Sequence, residues 1–219
     1  LNLSFNDMNS QLYGDNSLLG NDFQNEIKWN EINPYTQLMV NYKGSALNLN
    51  VTLPMNFYGM DYKDVLRNKD TETSKTVFEP SLWASYDFAS FWKIWAFGNL
   101  GYDFGSFGSV YDGFVLTNPR ALGNRNSTLL PENRTLNATS RLEYRNPLNN
   151  LFFNIRYTYA DFNKNIISAT KRFESGAATT SLVYEDNNSY SQSEGAEIGK
   201  YFPKFKTNAS VTFTNRDSN

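Results

Sequence analysis

Residues 47–53 alternate strictly between apolar and polar side chains, with leucine or valine at odd positions and asparagine or threonine at even ones. Residues 136–144 and 151–159 follow a similar pattern. A period of two matches the side chains on the two sides of a β-strand. Weaker copies at residues 37–42, 82–88, 95–104 and 209–214 raise the prediction to roughly ten strands, without a helix. We therefore expect an all-β chain.

The lengths of the connections sharpen this prediction. Short turn signals fall at residues 43–45, 89–90, 146–149 and 203–204, about 45 to 57 residues apart. Longer polar connections are expected at residues 58–76 and 105–133, with another near Glu174. Outer-membrane barrels sort short turns to one end and longer loops to the other, whereas soluble sandwiches turn about every 8 to 12 residues. The spacing favours an antiparallel transmembrane β-barrel, of which this chain is a roughly ten-strand portion of a larger barrel.

Composition agrees with a barrel that is apolar outside and polar inside. Aromatic residues make up 16% of the chain, yet the mean hydropathy is −0.56. The sequence contains no run near 18 apolar residues, the length that a transmembrane helix needs, whereas a transmembrane strand needs only about 9 to 11 residues. Aromatic residues gather at the predicted strand ends, where interfacial girdles occur.

Several function classes lack the residues they require. The net charge is −2 without a basic cluster, so nucleic acid is not an expected partner. Histidine and cysteine are absent, which removes their nucleophilic chemistry and the usual metal ligands. We expect no catalytic residue, metal or cofactor. A glycosidase with two carboxylates stays open as a lesser alternative, with candidates at Asp61, Asp64 and Glu72, or at Glu185 and Asp186.

Candidate ligand residues lie in two places. Arg141, Glu143 and Arg156 occupy the polar side of neighbouring predicted strands, which would face the lumen because arginine in lipid costs roughly 2 to 4 kcal/mol near the midplane. Asn118 and Arg120 lie in the longest predicted connection, where an outward-facing loop could bind a ligand.

Four segments carry a family resemblance: GFVLTNPRAL at residues 113–122, LLPE at 129–132, YRNPLNNLFFN at 144–154 and GKYFPKF at 199–205. Together they resemble the later barrel portion of Bacteroidetes TonB-dependent receptors, of the type with a carboxypeptidase-regulatory-like N-terminal domain. The resemblance implies ligand uptake at the cell outer membrane through a larger barrel closed around a plug. Implied partners are membrane lipid, the remainder of the barrel and its plug, the TonB complex indirectly, and a surface lipoprotein.

On this interpretation residues 1–219 are a barrel segment without a plug domain, a TonB box or a terminal barrel strand, and residues 214–219 form a turn. The alternative from another class is a soluble extracellular β-sandwich that binds glycans through exposed aromatic residues.

Overall fold

The computed structural model describes residues 2–11, 13–14, 17–18, 20–105, 113–118, 121–124, 130–172 and 178–219. These residues are mainly antiparallel β-strand, with 3₁₀ turns at Asn21–Phe23 and Pro203–Phe205, which confirms the all-β prediction. The strands are β1 (Asn2–Gln11), β2 (Tyr13–Gly14), β3 (Ser17–Leu18), β4 (Gln24–Asn33), β5 (Tyr35–Lys43), β6 (Leu47–Asp64), β7 (Lys69–Phe78), β8 (Ser81–Ala89), β9 (Trp92–Asp103), β10 (Phe114–Asn118), β11 (Ala121–Asn124), β12 (Asn133–Asn146), β13 (Leu151–Arg172), β14 (Ala178–Phe202) and β15 (Thr207–Ser218). No helix in the described ranges is long and apolar enough to cross a membrane.

Eleven strands form one sheet, in the order β1-β4-β6-β8-β9-β12-β13-β14-β15, with β5 and β7 also paired to β6. On one side of β6, β4 and β5 keep a single register across Pro34. On its other side, β7 and β8 keep a single register across Pro80. Proline lacks the N–H that a ladder needs, so each interruption is local. The sheet is therefore a nearly continuous up-and-down meander.

The predicted short turns are confirmed at one end of this meander. Three connections, at residues 44–46, 90–91 and 147–150, are only two to four residues long, and the fourth is the 3₁₀ turn at Pro203–Phe205. Because successive strands are antiparallel, all four lie at the same end of the sheet, which we call the short-turn end. The opposite end carries the long connections from β1 to β4 and from β9 to β12, together with the four-residue turn at residues 65–68, and we call it the long-loop end. Connections of this kind are typical of barrels that cross an outer membrane.

Two local predictions were wrong. Residues 58–76 are not a loop, since β6 continues to Asp64 and β7 starts at Lys69, leaving a turn at residues 65–68. Residues 55–64 of β6 pair with residues 69–78 of β7 by backbone hydrogen bonds, which do not depend on whether the side chains are apolar. The polar sequence therefore concealed the strands. Residues 214–219 are not a turn either, since β15 runs to Ser218 and pairs with β14 as far as Ser191. The connection predicted near Glu174 falls at residues 173–177, which lie outside the described residues.

Toward the short-turn end the two sides of the sheet differ in polarity. The apolar face includes Leu38, Val40, Leu49, Val51, Leu53, Leu82, Tyr86, Ile94, Leu142, Phe153, Ile155, Ile198, Val211 and Phe213. The polar face includes Asn41, Asn50, Thr52, Ser81, Asn99, Thr139, Arg141, Glu143, Asn154, Arg156, Glu197, Thr212 and Thr214. Side chains of the apolar face are exposed, reaching 60% at Leu38 and 72% at Val211. An apolar surface of this extent requires an apolar surrounding.

The polarity reverses along β6 toward the long-loop end. Phe57 is the last large apolar residue of β6 on the apolar face, and Asp61 and Lys63 follow on the same side. The other side, polar farther down the strand, now carries Met60 and Tyr62, which are 3% and 2% exposed. These two pack with Ile27, Trp29 and Phe104 in a buried hydrophobic cluster, which we call the cap core. One strand thus presents apolar residues to opposite sides in its two halves.

Candidate functional site

The register of β12 and β13 brings the predicted residues Arg141, Glu143 and Arg156 together on the polar face. Arg141 lies directly opposite Arg156, and Glu143 lies opposite Asn154. The side chains of residues two apart on a strand point to the same side, so Arg141 and Glu143 are neighbours along β12. The candidate site is therefore one surface of two paired strands.

Glu143 is the centre of a network near the short-turn end. Its carboxylate pairs with Arg141 Nε at 3.1 Å and with Arg145 Nε at 3.5 Å. Trp95 Nε1 on the neighbouring strand β9 donates a hydrogen bond to it at 3.3 Å. The carboxylate side chain is only 16% exposed, so these donors replace most of its water. Arg141 and Glu143 consequently stabilise each other in the wall.

A second carboxylate on the same face is also occupied. Asn154 Nδ2 donates a hydrogen bond to Glu197 Oε2 at 2.8 Å, across β13 and β14. Glu143 and Glu197 both lie next to a recess of about 540 Å³ at the short-turn end, which Phe152 and Pro147 also line. Both carboxylates near the short-turn end, Glu143 and Glu197, thus have protein partners.

Arg156 has a different environment. It lines a second recess, of about 600 Å³, together with Arg216, Thr158, Ser193 and Thr214. Among the described residues, Arg156 has no hydrogen bond or ion pair with a side chain. The structure therefore divides the predicted trio into an ion pair, Arg141 with Glu143, and an arginine whose donors are available.

The long-loop end holds a buried ion pair that the sequence analysis missed. Asp64 is 0% exposed, and Arg67 donates to it twice, from the backbone N to Oδ1 at 3.1 Å and from Nη1 to Oδ2 at 2.9 Å. Arg67 Nη2 also donates to the Gln24 carbonyl at 3.1 Å. The only sequence signal is an acid and a base three residues apart in a polar segment. This pair fixes the turn between β6 and β7.

The connection after β9 docks on this turn. Asn25, which is 1% exposed, donates a hydrogen bond to the Phe114 carbonyl at 3.3 Å, and the rings of Phe23 and Phe114 stack at 5.0 Å. Gly113 has a φ of 153°, and a Cβ there would overlap Arg67 Nη2 and lie 2.7 Å from Asn25 Oδ1. Only glycine fits this approach. We call residues 113–118 and 121–124 the cap hairpin.

The cap hairpin reaches between distant strands. The backbone of β10 contacts the Asn21–Phe23 turn beside β4, whereas the backbone of β11 contacts β14. These strands are separated in the sheet by β6, β8, β9, β12 and β13. The hairpin therefore crosses the long-loop end of the sheet.

Asn118, one of the predicted loop residues, is the last residue of β10, and its backbone pairs with Ala121. Arg120 lies outside the described residues, as does the Asn118 side chain.

The carboxylates considered for glycosidase chemistry are placed on different sides. Asp61 and Glu72 are cross-strand partners on the side that carries Lys63. Asp64 lies on the other side, where Arg67 neutralises it. Glu185 and Asp186 are adjacent and exposed in β14, at a β-bulge where the register with β13 shifts between Lys164 and Ile166.

Comparison with known proteins gives similarity in fold. No family model matches the chain, and no curated protein matches it. Among solved structures it is similar to the siderophore receptor PirA from Pseudomonas aeruginosa, with 10% sequence identity and a TM-score of 0.50. The similarity covers 88% of this chain and 44% of that chain, so the chain spans less than half the length of PirA. At this identity the similarity shows the fold alone, and the fold is an antiparallel sheet like part of a β-barrel receptor.

Proposed function

We propose that this chain is a segment of an outer-membrane receptor barrel of the TonB-dependent type, which takes part in ligand uptake by binding and passage, without covalent chemistry. The observation that carries the proposal is the reversal of polarity along β6. A strand that leaves lipid and enters water must exchange its outward apolar residues for polar ones at that boundary.

The height of the apolar face supports a bilayer as its surrounding. On β6 it extends from Leu47 to Phe57, which is about 33 Å of strand at 3.3 Å per residue. Tilted by about 40°, as barrel strands are, this length spans about 25 Å, which is the height of the apolar band on outer-membrane barrels. The exposed Phe88 and Phe78 lie near the two limits of the same face on β8 and β7. Such aromatic residues suit the two interfaces.

The β-sandwich alternative has less support. A sandwich buries the apolar sides of two packed sheets against each other. In the described ranges the long strands form one sheet, and Leu38, Val40 and Ile155 of its apolar face are 60%, 44% and 44% exposed. A soluble protein would leave little of this surface uncovered.

The finer assignments are part of the proposal. The four motif segments support a receptor of the Bacteroidetes type with a carboxypeptidase-regulatory-like domain, a plug and TonB as partners, and a surface lipoprotein at the long-loop end. At the level of the apolar face, β5 and β15 each pair on one side only within the described sheet, and β1 is the edge at the long-loop end. Backbone groups in lipid need partners, so the other sides of β5 and β15 would pair with further strands of the same barrel.

Single cysteines can test the proposal cleanly because the chain has none of its own. Ala138→Cys and Thr139→Cys are adjacent on β12 but lie on the apolar and polar faces. Ser74→Cys lies on β7 opposite Gly59. It is on the same side of the sheet as the apolar face, but beyond Phe57, where that side has become polar. Each variant of the intact protein is labelled with bimane and placed in lipid vesicles. Quenching by spin-labelled lipid and by aqueous iodide is then measured.

The proposal predicts quenching by lipid at Ala138→Cys, and quenching by iodide at Ser74→Cys. Thr139→Cys should be inaccessible to the lipid quencher, because its side chain lies on the polar face, whereas that of its neighbour Ala138 lies on the apolar face. Equal lipid quenching at Ala138→Cys and Thr139→Cys, or none at either, would contradict a membrane-facing apolar side and favour the soluble module.

A further inference from the structure

Two arginines face one recess on the polar face of β13, β14 and β15. Arg156 lies on β13 and Arg216 on β15, and both line the recess of about 600 Å³. Within the described part of the chain, neither guanidinium has a side-chain hydrogen bond or an ion pair. A guanidinium stays charged at any pH that a protein tolerates and carries five N–H donors. Both groups are therefore free to bind an anion.

The strand between the two arginines leaves room for a ligand. Gly195 on β14 lies opposite Arg156, and Ser193 lies opposite Arg216. Gly195 has no side chain, and a Cβ added there would meet just the Phe213 carbonyl oxygen, at 3.7 Å. Thr158 and Thr214 complete the lining with hydroxyl groups. The floor of the recess is thus small and polar, with a guanidinium on either side.

The carboxylates nearest to these two arginines interact with other residues. Glu143 is bracketed by Arg141 and Arg145, and Glu197 accepts from Asn154. Asp217 borders the recess, but residue parity places its side chain on the opposite side of β15 from Arg216. There it accepts a hydrogen bond from Gln192 at 3.3 Å. The recess therefore has an uncompensated positive charge.

We propose that this recess binds a small solute that carries carboxylate or phosphate groups. The planar guanidinium fork matches both groups in bidentate geometry. Strands β13 and β15 are two strand spacings apart, roughly 10 Å, so a solute with two anionic groups could engage both arginines. The inference rests on the proposed function, since it names the charge class of the ligand that the polar face admits.

The test measures binding of citrate and of pyrophosphate to the intact protein in detergent by calorimetry. Arg156→Gln and Arg216→Gln should each weaken binding at least about tenfold, as expected for a lost charge-assisted hydrogen bond. Arg156→Lys keeps the charge but not the fork, and should recover part of the loss. Lys43→Gln is the matched control, because it removes one cation from the same face at a distant position on β5.

Binding of citrate alone would identify carboxylate as the ligand group, and binding of pyrophosphate alone would identify phosphate. Either pattern supports the site if the two arginine variants weaken it and Lys43→Gln does not. The inference is overturned if neither probe binds, or if Arg156→Gln and Arg216→Gln bind like the unmodified protein. The quenching experiment on Ala138→Cys and Thr139→Cys reports on the membrane assignment independently, so failure of one proposal is distinguishable from failure of the other.

Discussion

The ring of Phe152 on β13 covers Gly199, its direct cross-strand partner on β14. A Cβ at residue 199 would overlap Phe152 Cζ and come within 2.8 Å of Cε1 and Cε2. An aromatic side chain over a strand glycine compensates for the missing side-chain contact and fixes the register of the pair. Both residues belong to the segments on which the family resemblance was based, and their packing gives a physical reason for that pattern.

Gly199→Ala should destabilise the sheet because the Phe152 ring must leave its position. Overpacking of this kind costs about 1 to 3 kcal/mol. The expected result is a lower urea midpoint for unfolding in detergent, with an unchanged slope. Gly195→Ala is the matched control, since it lies on the same face of the same strand with its nearest contact at 3.7 Å. Equal stability of the two variants would show that Phe152 moves freely.

Removing Arg67 should loosen the turn between β6 and β7. Arg67→Met leaves the Asp64 carboxylate buried without its cation, and breaking such a pair costs roughly 3 to 5 kcal/mol. Hydrogen exchange should accelerate in the paired segment around Tyr62 and Thr71, whereas exchange at the short-turn end of β6 should not change. Lys63→Met removes a neighbouring cation from the opposite, exposed side and should leave exchange unaltered. If hydrogen exchange accelerated equally in Arg67→Met and Lys63→Met, the cause would be the change in net charge and not the loss of the buried ion pair.

The arrangement of strands near the short turns was predictable because one side of each strand is apolar. Residues 47–53 and 151–159 alternate for that reason, and the turns that precede these two segments carry glycine, or proline and asparagine. The same physics explains why Arg141, Glu143 and Arg156 could be placed on one side before their partners were known. Their division into an ion pair and an arginine without a side-chain partner needed the register with β9 and β14.

The long-loop end was harder to predict because its strands are stabilised by their neighbours. In β14, residues 187–194 are almost wholly polar, without alternation, yet they pair with β13 and in part with β15. The cap core is invisible to local patterns because Trp29, Met60 and Phe104 come from three distant segments. Contacts between segments so far apart in sequence do not appear in any short window.

Gly113→Ala should release the cap hairpin from the turn that Arg67 fixes. The added Cβ meets Arg67 and Asn25, and the backbone conformation is unfavourable for an L-residue. Hydrogen exchange in β10 should become faster, because its contacts with Asn25 and Phe23 are lost. Gly20→Ala serves as control, because nothing lies within 4 Å of its Cβ position. Unchanged protection of β10 in Gly113→Ala would mean that Phe114 holds the hairpin without the glycine.

The sharpest contrast between the two sides of the sheet lies at Val51 and Thr52, which are adjacent on β6, similar in shape and on opposite faces. Val51→Arg places a guanidinium on the apolar face near the middle of the segment from Leu47 to Phe57, where the proposed contact with lipid would make a cation cost about 2 to 4 kcal/mol. Thr52→Arg places the same group on the polar face beside Met39 and Ser81, where water can solvate it. Unfolding of the protein by guanidinium chloride in lipid vesicles should therefore show a large loss of stability for Val51→Arg and a small one for Thr52→Arg. The ranking follows from the surrounding of each face and not from strand propensity, since the two variants differ only by one residue position. Equal losses would mean that neither face contacts hydrocarbon, and the assignment of the apolar face to lipid would fail.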